Sequence, residues 1–76
     1  MKDLLLYIAQ NLVDSPDEVS VTERTTERET VLELRVAPGD MGKVIGRHGK
    51  IAGDIRSLMR AVAQKQGKRV SVDIMD

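Results

Sequence analysis

Residues 41–50 read MGKVIGRHGK and set two glycines, Gly46 and Gly49, three positions apart between segments whose apolar residues otherwise recur at helical spacing. Glycine inside a helix costs roughly 1 kcal/mol relative to alanine, so a pair this close is expected to end one helix and open the next. The chain should therefore turn an αα-corner here. The corner also carries Lys43, Arg47, His48 and Lys50, and its only nearby acid before Asp54 is Asp40. A turn alone explains one glycine well and two adequately, but it does not ask for that much positive charge.

The rest of the pattern supplies the elements around the corner. Asp3 is placed to cap a helix in which Leu5, Ile8, Ala9 and Leu12 share a face, and Ser15-Pro16 ends it because the residue before proline avoids the helical region. Leu4, Leu6 and Val13 widen the apolar arc beyond what one packing face needs. Val19 and Val21 alternate with Ser20 and Thr22, a short strand. In ETVLELRV, 29–36, Thr30, Leu32, Leu34 and Val36 fall on one face and Glu33 and Arg35 on the other. The link at 25–28, TTER, has no glycine to reveal its turn type, yet two strands so close should form an antiparallel hairpin.

Ala37-Pro38-Gly39-Asp40 predicts a turn that ends in a helix cap. A short helix at Met41–Ile45 follows, then a longer one from Lys50 to Gln66 with Ile51, Ile55, Leu58, Met59 and Val62 in one stripe and Gly67 as its C-terminal stop. The alternation of Val70, Val72 and Ile74 in 68–75 predicts a third strand. The order is αββααβ. A strand returning after a two-helix crossover should run parallel to a hairpin strand, most simply the second. The expected fold is α+β: one domain over residues 1–76, a mixed three-stranded sheet with three helices packed on one face.

Seventy-six residues build only a thin core, and without cysteine there is neither a disulfide nor a thiolate metal site to supplement it. Self-association is one remaining way to bury more surface. MKDLLLYIAQ is too short and too polar for a signal peptide or a membrane span, which makes the cytoplasm the expected location. The net charge of zero hides a division. Residues 1–40 hold four bases against nine acids, a net of −5, and residues 41–76 hold eight bases against three acids, a net of +5. Such asymmetry points to nucleic-acid or membrane contact, although solvated faces are the ordinary fate of charge.

A tight glycine loop opening a helix exposes backbone N–H groups at the positive end of the dipole. Bare Gly46 and Gly49 would let a sugar-phosphate backbone come close, and Arg47 and Lys50 would add cations, Arg47 with a fork suited to phosphate oxygens. The Walker loop, G-x-x-x-x-G-K-S/T, does not fit, because Val44 stands at its first glycine and Ile51 at its last position. A dinucleotide fingerprint does not fit either, since Gly42, Gly46 and Gly49 are spaced by four and three. One histidine, one tyrosine and scattered carboxylates make no nucleophile–base pair or carboxylate dyad, so neither enzyme activity nor a cofactor or metal is expected. His48 reads as a solvated polar residue, with no second histidine or cysteine to complete a metal site.

VIGRHGK, set between two helices after a hairpin and before a last strand, resembles the G-x-x-G signature of the KH domain, and the αββααβ order resembles its type II form. MKDLLLYIAQNLVDSPDEV, LELRVAPGDMGKVIGRHGK and IAGDIRSLM further resemble the KhpA family of small stand-alone bacterial KH proteins, so the likeness covers nearly the whole chain. The resemblance implies a single-stranded RNA-binding protein that clamps about four nucleotides with the loop, the bases lying in a groove between two helices and a sheet edge. By position Gly46, Arg47, His48 and Gly49 match the loop, Val44 and Ile45 precede it with at least one flooring the groove, and Lys43 and Lys50 flank it. The family further implies self-association as a homodimer, a complex with a larger KH-containing partner, KhpB, and action as an RNA chaperone affecting gene expression, cell-envelope growth and cell shape. The alternative is an adaptor that acts mainly through such pairing.

Composition supports the clamp independently. Tyr7 is the only aromatic residue, so base stacking of the RRM or OB-fold kind is not open to this chain. Without stacking, worth roughly 1–3 kcal/mol per base, one site should bind weakly and tolerate many sequences. Placing negative charge at both glycines, Gly46→Asp with Gly49→Asp, should abolish binding and leave the fold intact.

Overall fold

The computed structural model describes residues 1–75. Its elements follow the expected order: α1 (Lys2–Gln10), β1 (Ser20–Thr25), β2 (Thr30–Arg35), α2 (Met41–Ile45), α3 (Lys50–Lys65) and β3 (Val70–Met75). Single 3-10 turns at Pro16–Glu18, Pro38–Asp40 and Arg47–Gly49 join them. β2 is the central strand. It pairs antiparallel with β1, Val21 opposite Leu34, and parallel with β3, Leu32 opposite Val72. The sheet is therefore mixed, and the last strand does run parallel to the second.

Alternation decides the layers. Leu32 and Leu34 of β2 are fully buried and join Val21, Val72 and the helical residues Leu5, Ala9, Val44, Ile55 and Met59 in one cluster. Glu33 and Arg35, one position out of phase, occupy the opposite face, as the period of two requires. Val31 is buried on that second face too, although outside the main cluster. It is flanked on both sides, by Arg24 of β1 and Ser71 of β3, as only a central-strand residue is.

The hairpin closes without glycine because Thr26 replaces one. Its hydroxyl accepts the amides of Arg28 (3.3 Å) and Glu29 (3.1 Å) and donates to the Glu29 carbonyl (3.0 Å), while its own amide also reaches that carbonyl at 2.8 Å. This is a side-chain turn of the Ser/Thr kind, and it fixes the direction in which Arg28 leaves the sheet.

Four local expectations change. Asp3 lies inside the first turn of α1, which begins at Lys2 with Met1 at its N-cap, so Asp3 is a favourable acid near the dipole's positive end rather than the cap. Leu12 falls beyond the helix and is exposed, because the chain has already turned at Asn11. In α3 the buried line is Ala52, Ile55, Met59 and Ala63, spaced by three, four and four, and Leu58 sits beside it, 47% exposed. The small alanines let α3 approach closely, and an apolarity pattern weighted by side-chain size misses that.

The fourth concerns Asp40. It stands at the N-cap of α2 but makes no capping bond there. It is 4% exposed, and its two carboxylate oxygens accept the amides of Asp14 (3.3 Å) and Ser15 (3.0 Å) from the segment after α1. A buried carboxylate bonded to two N–H groups ties the end of the first helix to the start of the second. The αα-corner is thereby anchored at its root.

Candidate nucleic-acid interface

The corner itself is built from three departures from helical geometry within four residues. Gly46 ends α2 with φ 75°, ψ 176°, and its amide bonds the Gly42 carbonyl at 2.9 Å. His48 lies in the left-handed region at φ 56°, ψ 25°, the only non-glycine residue with positive φ among those described. Gly49, at φ 75°, ψ 14°, is also left-handed and forms the N-cap of α3. Two left-handed residues in a row reverse the chain and start α3 with no side chain capping its first turn.

The two glycines are not equivalent. A β-carbon on Gly46 would lie 2.6 Å from Ile51 Cγ1 and 2.9 Å from Ile51 Cβ and Cδ1. The bareness of Gly46 thus serves packing of the first turn of α3 against the end of α2 and makes no opening for a ligand. At Gly49 nothing stands within 4 Å of the same position. Of the two loop glycines, Gly49 alone leaves that position open. The expectation that the double aspartate variant keeps its fold is corrected accordingly: at Gly46 an added side chain meets Ile51 and a positive φ together.

Of the expected site residues, Val44 is fully buried in the core, whereas Ile45 is 36% exposed. Of the pair, Ile45 alone presents aliphatic surface to the outside. Arg47 and His48 are exposed at the apex. Lys43 pairs with Asp14 at 3.4 Å and Lys50 with Asp54 at 3.5 Å, all four side chains well exposed. Exposed pairs of this kind are worth roughly 0–1 kcal/mol, so they hold the two lysines only weakly. Arg47 is the loop cation with no acid beside it among the described residues.

One functional candidate was not singled out from sequence. Arg56, expected simply to face water, donates from Nε to the Val72 carbonyl at 3.2 Å, bridging α3 to the outer edge of β3. A helix-period reading separates buried from exposed positions but cannot say that an exposed arginine meets an unpaired strand edge.

The loop between α2 and α3 is thus an exposed corner with open space at one glycine and, among the described residues, an arginine in no ion pair. A family model described as KhpA/KhpB, KH domain matches residues 2–74. The chain belongs to this KH-domain family. The RNA-binding protein KhpA of Clostridium acetobutylicum is 57% identical over 99% of this chain and the whole of that protein. The KhpA of Aquifex aeolicus is 45% identical over all of this chain and 96% of its own length. Among solved structures, the Aquifex aeolicus Era protein bound to GDP and an aluminium fluoride superposes with a TM-score of 0.68 at 16% identity. That match covers 96% of this chain and 28% of Era, and it speaks for the fold alone. For this KH domain the relatives carry no enzyme's name, in keeping with its inventory of side chains.

Proposed function

We propose that this KH domain binds single-stranded RNA in the cytoplasm, gripping the sugar-phosphate backbone with Gly46–Gly49, and acts as an RNA chaperone in post-transcriptional control. The observation that carries this reading is the open position at Gly49 beside exposed Arg47. KH domains clamp about four nucleotides with a G-x-x-G loop, and relatives of matching length are named RNA-binding proteins. Arg47 contacts phosphate first; Lys43 and Lys50 exchange Asp14 and Asp54 for phosphate oxygens; Ile45 offers an aliphatic surface to a base.

The test is a pair of substitutions at one position. Aspartate and asparagine both tolerate left-handed backbone better than most residues, so Gly49→Asp and Gly49→Asn share the conformational cost and differ in charge. Fluorescence anisotropy with a short oligouridine should show binding lost by tenfold or more in Gly49→Asp and largely kept in Gly49→Asn. Wild-type affinity in a folded Gly49→Asp protein would contradict the clamp.

A second reading, pairing with another copy or with a larger KhpB-type protein, is favoured by the exposed apolar side chains Tyr7, Leu12 and Leu58. It is compatible with the first. Light scattering at high micromolar concentration should report a dimer mass, and a strict monomer would oppose the homodimer.

A further inference from the structure

The strongest concentration of uncompensated positive charge lies away from the loop. Where the C-terminal half of α3, the start of β3 and the hairpin turn meet, a cavity of about 530 Å3 is lined by Arg28, Arg60, Lys68 and Arg69, with Glu29 the one acid and Val70 among its apolar surfaces. None of the four cations takes part in an ion pair among the described residues. The loop lysines, by contrast, both have carboxylate partners. Helix rise puts Arg60 about 15 Å along α3 from Lys50, so this site is separate from the loop. The C-terminal end of α3 contributes about half a negative charge from its dipole, too little to neutralise a net of about +3.

Four cations gathered around a single acid repel one another, and the chain's other acids were available to relieve them. The hairpin turn nevertheless holds Arg28 in place through Thr26, and the adjoining hollow that shares Arg28, Lys68 and Arg69 is instead bordered by Glu23 and Glu27. With Glu29 that hollow balances three acids against three bases, so the net positive charge lies on the α3 side. Arg56, pinned to the β3 edge, lies on the same flank of α3 as Arg60, one turn nearer the loop.

We propose that this cavity is a second phosphate-binding site that takes the same RNA strand after it leaves the loop, so the bound length exceeds the four nucleotides of the clamp. The proposal rests on the reading of the loop as an RNA clamp. It assigns Arg28, Lys68 and Arg69 to phosphates of the flanking nucleotides, with Arg60 and Arg56 along the path between. Sequence specificity gains nothing from it; affinity and salt dependence do.

The experiment compares tetrauridine with dodecauridine on the wild type and on a triple variant, Arg28→Ala with Lys68→Ala and Arg69→Ala. Because one strand offers the same number of registers to both proteins, the ratio between them isolates the cavity. If about three phosphates are released, the variant should lose roughly tenfold or more on the dodecamer at about 0.2 M salt relative to the wild type in the same salt, with a shallower salt slope, and less than about threefold on the tetramer. Its melting temperature should stay level or rise as self-repulsion is removed. Equal losses on both lengths, or none on the dodecamer, would overturn the second site. Pyrophosphate that shifts the Arg28 and Arg69 amides without any length effect would likewise overturn it in favour of a small-anion site. Gly49→Asp keeps the two readings apart: if it leaves tetramer binding intact the clamp fails, whereas a length-independent wild type with that loss intact removes the second site alone.

Discussion

Ile51 occupies the volume that a β-carbon on Gly46 would need, its Cγ1 lying 2.6 Å from that position, while the equivalent space at Gly49 is empty. The two glycines of one short loop therefore do different work. Gly46 allows two helices to meet, and Gly49 leaves room for something outside the chain.

Alanine substitution should separate them. Gly46→Ala adds positive-φ strain, roughly 1–2 kcal/mol, to the cost of displacing Ile51, roughly 1–3 kcal/mol, for a total near 3 kcal/mol. Gly49→Ala carries the backbone strain alone, partly offset by reduced freedom of the unfolded chain, and should cost about 1 kcal/mol. Urea denaturation gives both values. Pairing Gly46→Ala with Ile51→Ala should recover part of the loss, because contacting residues are coupled. Equal costs at the two glycines would contradict the assignment.

Asp40 should matter more than its place in a turn suggests. Asp40→Ala removes a buried carboxylate and orphans the amides of Asp14 and Ser15, a loss of about 2–3 kcal/mol. In a domain of this size that lowers the melting temperature by roughly 10–20 °C. Asp40→Asn, which keeps one oxygen acceptor, should fall between. Thermal unfolding followed by circular dichroism checks the order.

Much of this was legible in the sequence and some was not. Strand alternation at Leu32, Leu34 and Val72 and the breaks at Pro16 and Gly46 were enough for the element order, the sheet and its parallel return. The loop was legible because glycines and cations are rare neighbours within helices. Contacts between distant segments were not: Asp40 reaches across 25 residues to Ser15, and no local pattern distinguishes that from a cap. The unequal glycines were hidden for the same reason, since only packing shows that Ile51 meets one of them. Val44 and Ile45 are adjacent and similar, and their opposite exposures follow from how α2 packs against α3.

His48 holds a left-handed conformation that costs roughly 1–2 kcal/mol for most side chains, somewhat less for histidine. His48→Gly should therefore leave stability unchanged or raise it by up to about 1 kcal/mol, the strain relief being opposed by added freedom in the unfolded state. A clear loss of stability in urea melts would show that the imidazole makes a contact beyond its backbone role.

Binding through about three phosphates should give a modest ionic-strength dependence for a short strand. The slope of log affinity against log salt for tetrauridine should be close to −2. A slope near zero would mean that base contacts dominate.

The most direct measurement is a titration of the nitrogen-15-labelled protein with tetrauridine, read by amide resonances. The clamp requires the largest shifts at Gly46, Arg47, His48, Gly49 and Lys50, with smaller ones at Ile45. Saturable binding that leaves those amides unmoved, and shifts residues elsewhere, would contradict it.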